Sequence, residues 1–123
     1  MSVLVLCSCN GSQKREEKIG DIQFTVVKEE DIPQKFKEMI DTKKVNTFQM
    51  TYCDGEFMYL AKGFGEQETG GYSVTVDTLY ESEKYIYFDA TLIGPAEGEE
   101  IKKAKTYPFI VVKFEMIDKE MGL

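Results

Sequence analysis

Apolar and polar residues alternate with a period of two along most of this chain, and one stretch changes to a helical period. Ile22, Phe24 and Val26 alternate with Gln23 and Thr25, which predicts a first strand over residues 21–28. The period then changes: Ile32, Phe36, Met39 and Ile40 fall at i, i+4, i+7 and i+8. Asp31 offers an N-cap oxygen and Pro33 suits the first turn, so a helix is predicted there. Its spacing leaves one apolar stripe for a sheet to cover, with Gln34, Lys35, Lys37, Glu38 and Asp41 turned to water.

Residues 47–62 have the pattern of a hairpin turning on Asp54-Gly55, a dipeptide that accepts positive φ at both central positions of a two-residue turn. That turn sets Cys53 opposite Glu56, Tyr52 opposite Phe57, Met50 opposite Tyr59 and Phe48 opposite Ala61, which gathers the apolar side chains on one core-facing side. Gly63-Phe64-Gly65 ends the hairpin. Tyr72, Val74 and Val76 begin a third β run, and Ile86, Phe88, Ala90 and Leu92 form a fourth after a turn at Glu81-Ser82-Glu83. In the last strand Ile110, Val112, Phe114 and Met116 face inward and Lys113 and Glu115 outward, and its even alternation suits an interior position. The expected fold is α+β: a mostly antiparallel β-sheet or barrel-like sandwich with one packed helix.

Composition adds limits. A chain of 123 residues with 42% hydrophobic content can bury one core without disulfide staples. A net charge of −7 argues against nucleic acid and anionic membrane surfaces as partners. Lys102, Lys103 and Lys105 crowd together, but beside Glu97, Glu99 and Glu100, so residues 94–105 form a mixed-charge loop. The absence of His excludes Ser-His-Asp and Cys-His catalysis and the usual His-containing zinc sites. The glycines at 63, 65, 70 and 71 precede no Lys-Ser or Lys-Thr and open into a strand, so no phosphate cradle is expected. Asp54-Gly55-Glu56 lacks the other spaced ligands of a calcium loop, and Asp77, Asp89 and the 97–100 carboxylates are catalytic candidates by residue type alone. The expectation is a non-enzyme without cofactor or metal. Cys53 has no His to activate it and stands beside Asp54 and Glu56, so it is read as structural or incidental.

The N-terminus carries the expectation about location. Val3-Leu4-Val5-Leu6 before Cys7-Ser8-Cys9 resembles the end of a bacterial lipoprotein signal, with Cys9 as the lipidated residue. A full signal needs a basic start and about 7–15 apolar residues, which would lie upstream of the present Met1. The alternative is a short edge strand at 3–6. On the lipoprotein reading, residues 1–20 are a truncated signal end and polar tether and residues 21–123 a single domain, extracytoplasmic and touching the membrane only through a lipid anchor.

The candidate working surface is a pair of loops. Thr69-Gly70-Gly71-Tyr72-Ser73-Val74 is answered by Thr106-Tyr107-Pro108-Phe109. Adjacent glycines can take positive φ and let a partner's backbone approach, and tyrosines on loops are favoured interface anchors. Phe64, Thr69, Gly70, Gly71, Tyr72, Tyr107 and Pro108 are therefore the partner-binding candidates. The competing reading is a hairpin or strand-entry turn, with Tyr72 and Tyr107 as core-edge residues whose hydroxyls satisfy loop backbone.

Residues 31–116, with Gly63-Phe64-Gly65 before Glu68-Thr69-Gly70-Gly71-Tyr72-Ser73-Val74, then Gly94-Pro95 and Tyr107-Pro108, resemble the C-terminal domain of the protease complex subunit PrcB. The resemblance implies a non-catalytic, often lipid-anchored companion of a subtilisin-like protease, so the implied partner is a secreted or membrane protease. A second expectation comes from the layout of the loops at 65–71, at 94–105 and at Tyr107-Pro108. It is similar to that of chagasin-type inhibitors, which pair a Thr-Gly-aromatic loop with a Gly-rich loop and an aromatic beside Pro, and it implies direct protease inhibition. A third, a small-ligand carrier, would need an apolar pocket within the sheet.

Overall fold

The structure is a computed structural model that describes residues 14–123. The expected signal end, Cys9 and the strand alternative at 3–6 lie outside the described residues. Among the described residues, eight strands pair into two four-stranded sheets. The first holds β1 (Gly20–Asp21), β5 (Ser73–Glu81), β6 (Tyr85–Ile93) and β8 (Glu120–Met121), in the order β1-β5-β6-β8. The second holds β2 (Thr25–Val26), β7 (Phe109–Glu115), β4 (Phe57–Phe64) and β3 (Thr47–Cys53), in the order β2-β7-β4-β3. Pairing is antiparallel except between β6 and β8. Neither sheet closes into a barrel, so the fold is a sandwich, with α1 (Gln34–Lys43) on the outer face of the second sheet.

Two apolar layers follow from the alternation. Between the sheets lie Ile22, Met58, Leu60, Leu79, Ile86, Phe88, Val112 and Phe114. Between the helix and the second sheet lie Ile32, Phe36, Ile40, Tyr59, Ala61 and Val111, with Phe48, Met50, Tyr52 and Phe57 packed against them. β4 and β7 are thus covered on both faces, which explains the unbroken buried run Met58-Tyr59-Leu60-Ala61. β7 sits between β4 and β2, the interior position its pattern predicted, while Met116 lies past its end and is exposed.

Three local readings are corrected. The strand expected over 21–28 is divided between the sheets, β1 pairing with β5 and β2 with β7. A segment that changes sheets cannot keep one face inward: Ile22 is buried while Phe24 and Val26 are exposed. Asp31 lies in a 3₁₀ turn, Glu29–Asp31, and Pro33 takes the N-cap position without a capping side chain. Ile32, preceding the proline, is held extended at φ −73° and ψ 131°, so the helix cannot start earlier. Met39, expected on the apolar stripe, is exposed.

The hairpin forms with its register displaced by two residues. Cys53 faces Met58, Tyr52 faces Tyr59, Met50 faces Ala61 and Phe48 faces Gly63. The cause is the Asp54 carboxylate, whose Oδ1 accepts from the N–H groups of Glu56 at 2.9 Å and Phe57 at 2.8 Å. This makes Asp54 the first residue of the turn and centres it on Gly55-Glu56, with Gly55 at φ +97°. A displacement of two preserves the side-chain faces, so the apolar side stays where the pattern placed it. The β5–β6 turn likewise falls on Glu83-Lys84, closed by the Ser82 N–H on Tyr85 O at 2.9 Å.

The segment expected as the end of a tether is fastened to the first sheet from Arg15 onward. Arg15 pairs with Asp89, the Glu16 N–H donates to the Tyr87 hydroxyl at 3.0 Å, and the Ile19 N–H donates to Glu81 O at 2.9 Å. Among the described residues no helix is long and apolar enough to cross a membrane.

Candidate functional site

Strand direction decides which loops meet. β3, β5 and β7 begin, and β4 and β6 end, at the same end of the sandwich. The connections at 44–46, 65–72 and 94–108 therefore gather there, while the tight hairpin turns occupy the opposite end. Both long connections carry the chain from one sheet to the other, so each needs backbone partners outside the ladders.

They find them in each other. Gln67 and Thr106 form a β-bridge, with N–H to O distances of 2.8 and 3.0 Å. The Gly70 N–H donates to Lys102 O at 2.9 Å, the Thr106 hydroxyl donates to Thr69 O at 2.7 Å, and the Phe64 N–H donates to Pro108 O at 3.0 Å. Gly71 is at φ +90°, and a Cβ there would lie 2.9 Å from Pro95 Cβ. Gly94 lies against the Tyr72 ring. The seven sequence candidates are thus brought into one braced cluster. Gly71 is exposed, and Phe64, Thr69, Gly70, Tyr72, Tyr107 and Pro108 are half-buried. Of the two adjacent glycines, Gly71 takes positive φ and Gly70 does not, so the left-handed requirement falls on one position.

Polar contacts hold Tyr107 in place. Its hydroxyl donates to Glu66 Oε1 at 3.3 Å, and the Lys44 ammonium stands 5.6 Å from its ring centroid. Lys105 reaches Glu66 Oε2 at 3.2 Å, and this hydrogen bond raises the lysine pKa. The Glu66 N–H donates to Val45 O at 3.1 Å, which ties the helix exit to the same end.

The cluster also contains residues outside the seven partner-binding candidates: Lys44, Glu66, Pro95, Lys102 and Lys105 as supports, and Val45, Ile93 and Ile101 as exposed apolar side chains, of which Glu66, Pro95, Ile101, Lys102 and Lys105 fall within the loops at 65–71 and 94–105. Ile101 had a visible signal as the one apolar residue in Glu99-Glu100-Ile101-Lys102-Lys103. Val45 had none, because its exposure depends on where the helix exit is pinned.

The arrangement presents a surface more than a reaction centre. Asp89 is engaged by Arg15 and Thr78, and Asp77 accepts from the Thr91 hydroxyl, so these two carboxylates serve pairing on the outer face of the first sheet. Among the described residues no three metal-ligating side chains cluster. Cys53 is free and exposed at the other end of β3.

No curated protein and no solved structure matches this chain. A family model does match, and it covers β4 to β7 with both long loops, beginning after the helix and β3. The family is described as PrcB C-terminal, and its model matches residues 58–115, within the stretch whose glycine and Tyr-Pro motifs resemble it.

Proposed function

We propose that this chain is a non-enzymatic binding module, an accessory and stabilising companion of an envelope subtilisin-like protease, which it meets with the loop end of the sandwich. The observation that carries this reading is the cross-bracing of the loops at 65–72 and 94–108 through Gln67-Thr106, Gly70-Lys102 and Thr69-Thr106. A loop braced before encounter loses little conformational freedom on binding. Exposed Val45, Ile93 and Ile101 beside half-buried Tyr72 and Tyr107 supply the apolar and aromatic contacts that anchor interfaces. The family match supports association with a protease complex. Lipidation at Cys9, with the domain outside the cell membrane, completes the proposal.

The test is affinity capture from a detergent-solubilised envelope fraction with the full chain as bait, beside Ile101→Glu and Thr69→Ala/Tyr72→Ala forms verified as folded. Recovery of a subtilisin-like protease by the native bait alone supports the companion reading. Recovery of no protease, or equal recovery by all baits, removes it. Peptidase turnover of the captured enzyme separates the two protease readings: unchanged turnover fits a companion, and a dose-dependent fall identifies a direct inhibitor working through the loops at 65–71, at 94–105 and at Tyr107-Pro108.

A further inference from the structure

Among the described residues, one long strand stands at a sheet edge without protection. β1, β2 and β8, which end three of the four sheet edges, are two residues each. Where they leave longer neighbours open, β5 is interrupted by a bulge at Asp77 and β6 carries Asp89 tied to Arg15. Short strands, bulges and charges are the means by which sheets avoid pairing with other chains. β3 ends the remaining edge and has none of them. It runs seven residues, Thr47-Phe48-Gln49-Met50-Thr51-Tyr52-Cys53, in unbroken register with β4, without charge, proline or glycine.

The hydrogen-bonding parity of this edge is fixed by its neighbours. The Phe64 N–H bonds Pro108 O and the Met116 N–H bonds Glu56 O, so the even residues of β4 bond towards β7 and the odd ones towards β3. The Asp54 N–H on Phe57 O at 3.1 Å then places the inward groups of β3 on its even residues. Thr47, Gln49, Thr51 and Cys53 direct their N–H and C=O groups to the open side, and among the described residues nothing is hydrogen-bonded to them.

We propose that β3 is the interface through which two copies of this chain pair antiparallel into one continuous eight-stranded sheet. The strand is self-complementary about Met50. A two-fold axis there sets Thr47 opposite Cys53 and Gln49 opposite Thr51 of the second copy, and these four pairs use every outward N–H and C=O. It also sets Phe48 opposite Tyr52 on the helix side, an aromatic cross-strand pair on each side of the axis. The ends are complementary in charge: Lys43 and Lys44 precede the strand and Asp54 and Glu56 follow it, so antiparallel pairing brings each basic end to the partner copy's acidic end.

Sedimentation of the full chain in about 0.15 M salt, where the repulsion between two acidic copies is screened, tests the pairing. A concentration-dependent dimer is expected. Thr51→Pro removes an outward donor without touching a β3–β4 bond and is expected to weaken the dimer at least about tenfold with an unchanged circular dichroism spectrum. Thr51→Lys, which keeps the backbone donor and adds edge charge, is expected to do the same and serves if the proline variant misfolds. With Cys7, Cys9 and Cys53 changed to Ser, Met50→Cys faces its own copy across the axis at a Cα separation of about 4.5 Å. It should form an interchain disulfide on mild oxidation, and Thr75→Cys on β5 should not. A monomer at all concentrations to about 100 μM overturns the proposal. So does a dimer indifferent to both Thr51 variants, or a Met50→Cys chain that stays uncrosslinked. A monomer that captures a different protein only when Thr51 is intact also overturns it, and assigns the edge to another protein's extended segment.

Discussion

Arg15 and Asp89 meet as a two-pronged pair, Nη1 to Oδ2 at 2.7 Å and Nη2 to Oδ1 at 2.8 Å, with the guanidinium 4.8 Å from the Tyr87 ring centroid. The Thr78 hydroxyl donates to the same carboxylate at 2.6 Å. One residue of the N-terminal segment thus closes the outer face of the first sheet, using an acid from the middle of β6.

That pair predicts an acid limb. The Arg15 hydrogen bonds hold Asp89 down to about 2, below an unfolded value of about 3.9. A depressed carboxylate stabilises the fold above its unfolded pKa, and the contribution is lost as pH falls from about 4 through about 2. Because both side chains are a third or more exposed, the pair is worth about 1 kcal/mol or less. Thermal midpoints measured from pH 2 to 7 should show Asp89→Asn less stable at neutral pH and flatter below pH 4 than the native chain. Parallel curves would show that the pair contributes nothing.

Ser82 predicts a larger loss from a smaller change. It is fully buried, its hydroxyl donates to Glu16 Oε1 at 2.7 Å, and it accepts the Tyr85 N–H at 3.0 Å. Ser82→Ala leaves that N–H without its acceptor and takes one donor from the Glu16 carboxylate, at a cost of about 1–3 kcal/mol. A fall in the thermal midpoint of about 4–12 °C is expected. A change under about 0.5 kcal/mol would place the hydroxyl's role with solvent instead.

These contacts show which parts of the fold were legible. The helix, the long strands and the interior place of β7 followed from periodicity, because burial imposes period two or 3.6 on the residues themselves. The split of 21–28 between sheets did not, since Ile22, Phe24 and Val26 alternate equally well whether the segment stays in one sheet or crosses. The hairpin register missed by two because Asp54 has two uses in a turn, central residue or side-chain acceptor, and the backbone geometry decides. At the loop end, Thr69 to Tyr72 and Tyr107-Pro108 were visible as turn chemistry. Lys44, Glu66 and Val45 were not, because long-range bracing puts them there.

Phe48 and Gly63 predict a coupled pair. The aromatic ring occupies the place a Cβ on Gly63 would take, 2.0 Å from Phe48 Cε2. Gly63→Ala must push the ring out of the layer under the helix and should cost about 1–3 kcal/mol. With Phe48→Ala already present the same change should cost much less, so a double-mutant cycle in urea should show a coupling energy of about 1 kcal/mol or more. Additive effects would mean that Gly63 is required by its backbone and not by the ring.

The adjacent glycines at the loop end should differ when each is replaced by alanine. At Gly70 φ is not positive, and a Cβ would meet Lys102 atoms no closer than 3.8 Å, so Gly70→Ala is expected within about 0.5 kcal/mol of the native chain. At Gly71 φ is +90°, and a Cβ would press to 2.9 Å on Pro95 Cβ, so strain and overlap act together. Gly71→Ala should cost about 1–3 kcal/mol and part the two long connections. The Gly70 N–H, which reaches Lys102 O at 2.9 Å, reports that parting directly. Its hydrogen exchange should accelerate in Gly71→Ala while amides in β4 and β7 stay protected. If Gly70→Ala were the costlier variant, or if exchange rose equally through both sheets, the loop end would not be an independently braced unit. A binding surface built on that bracing would then fail with it.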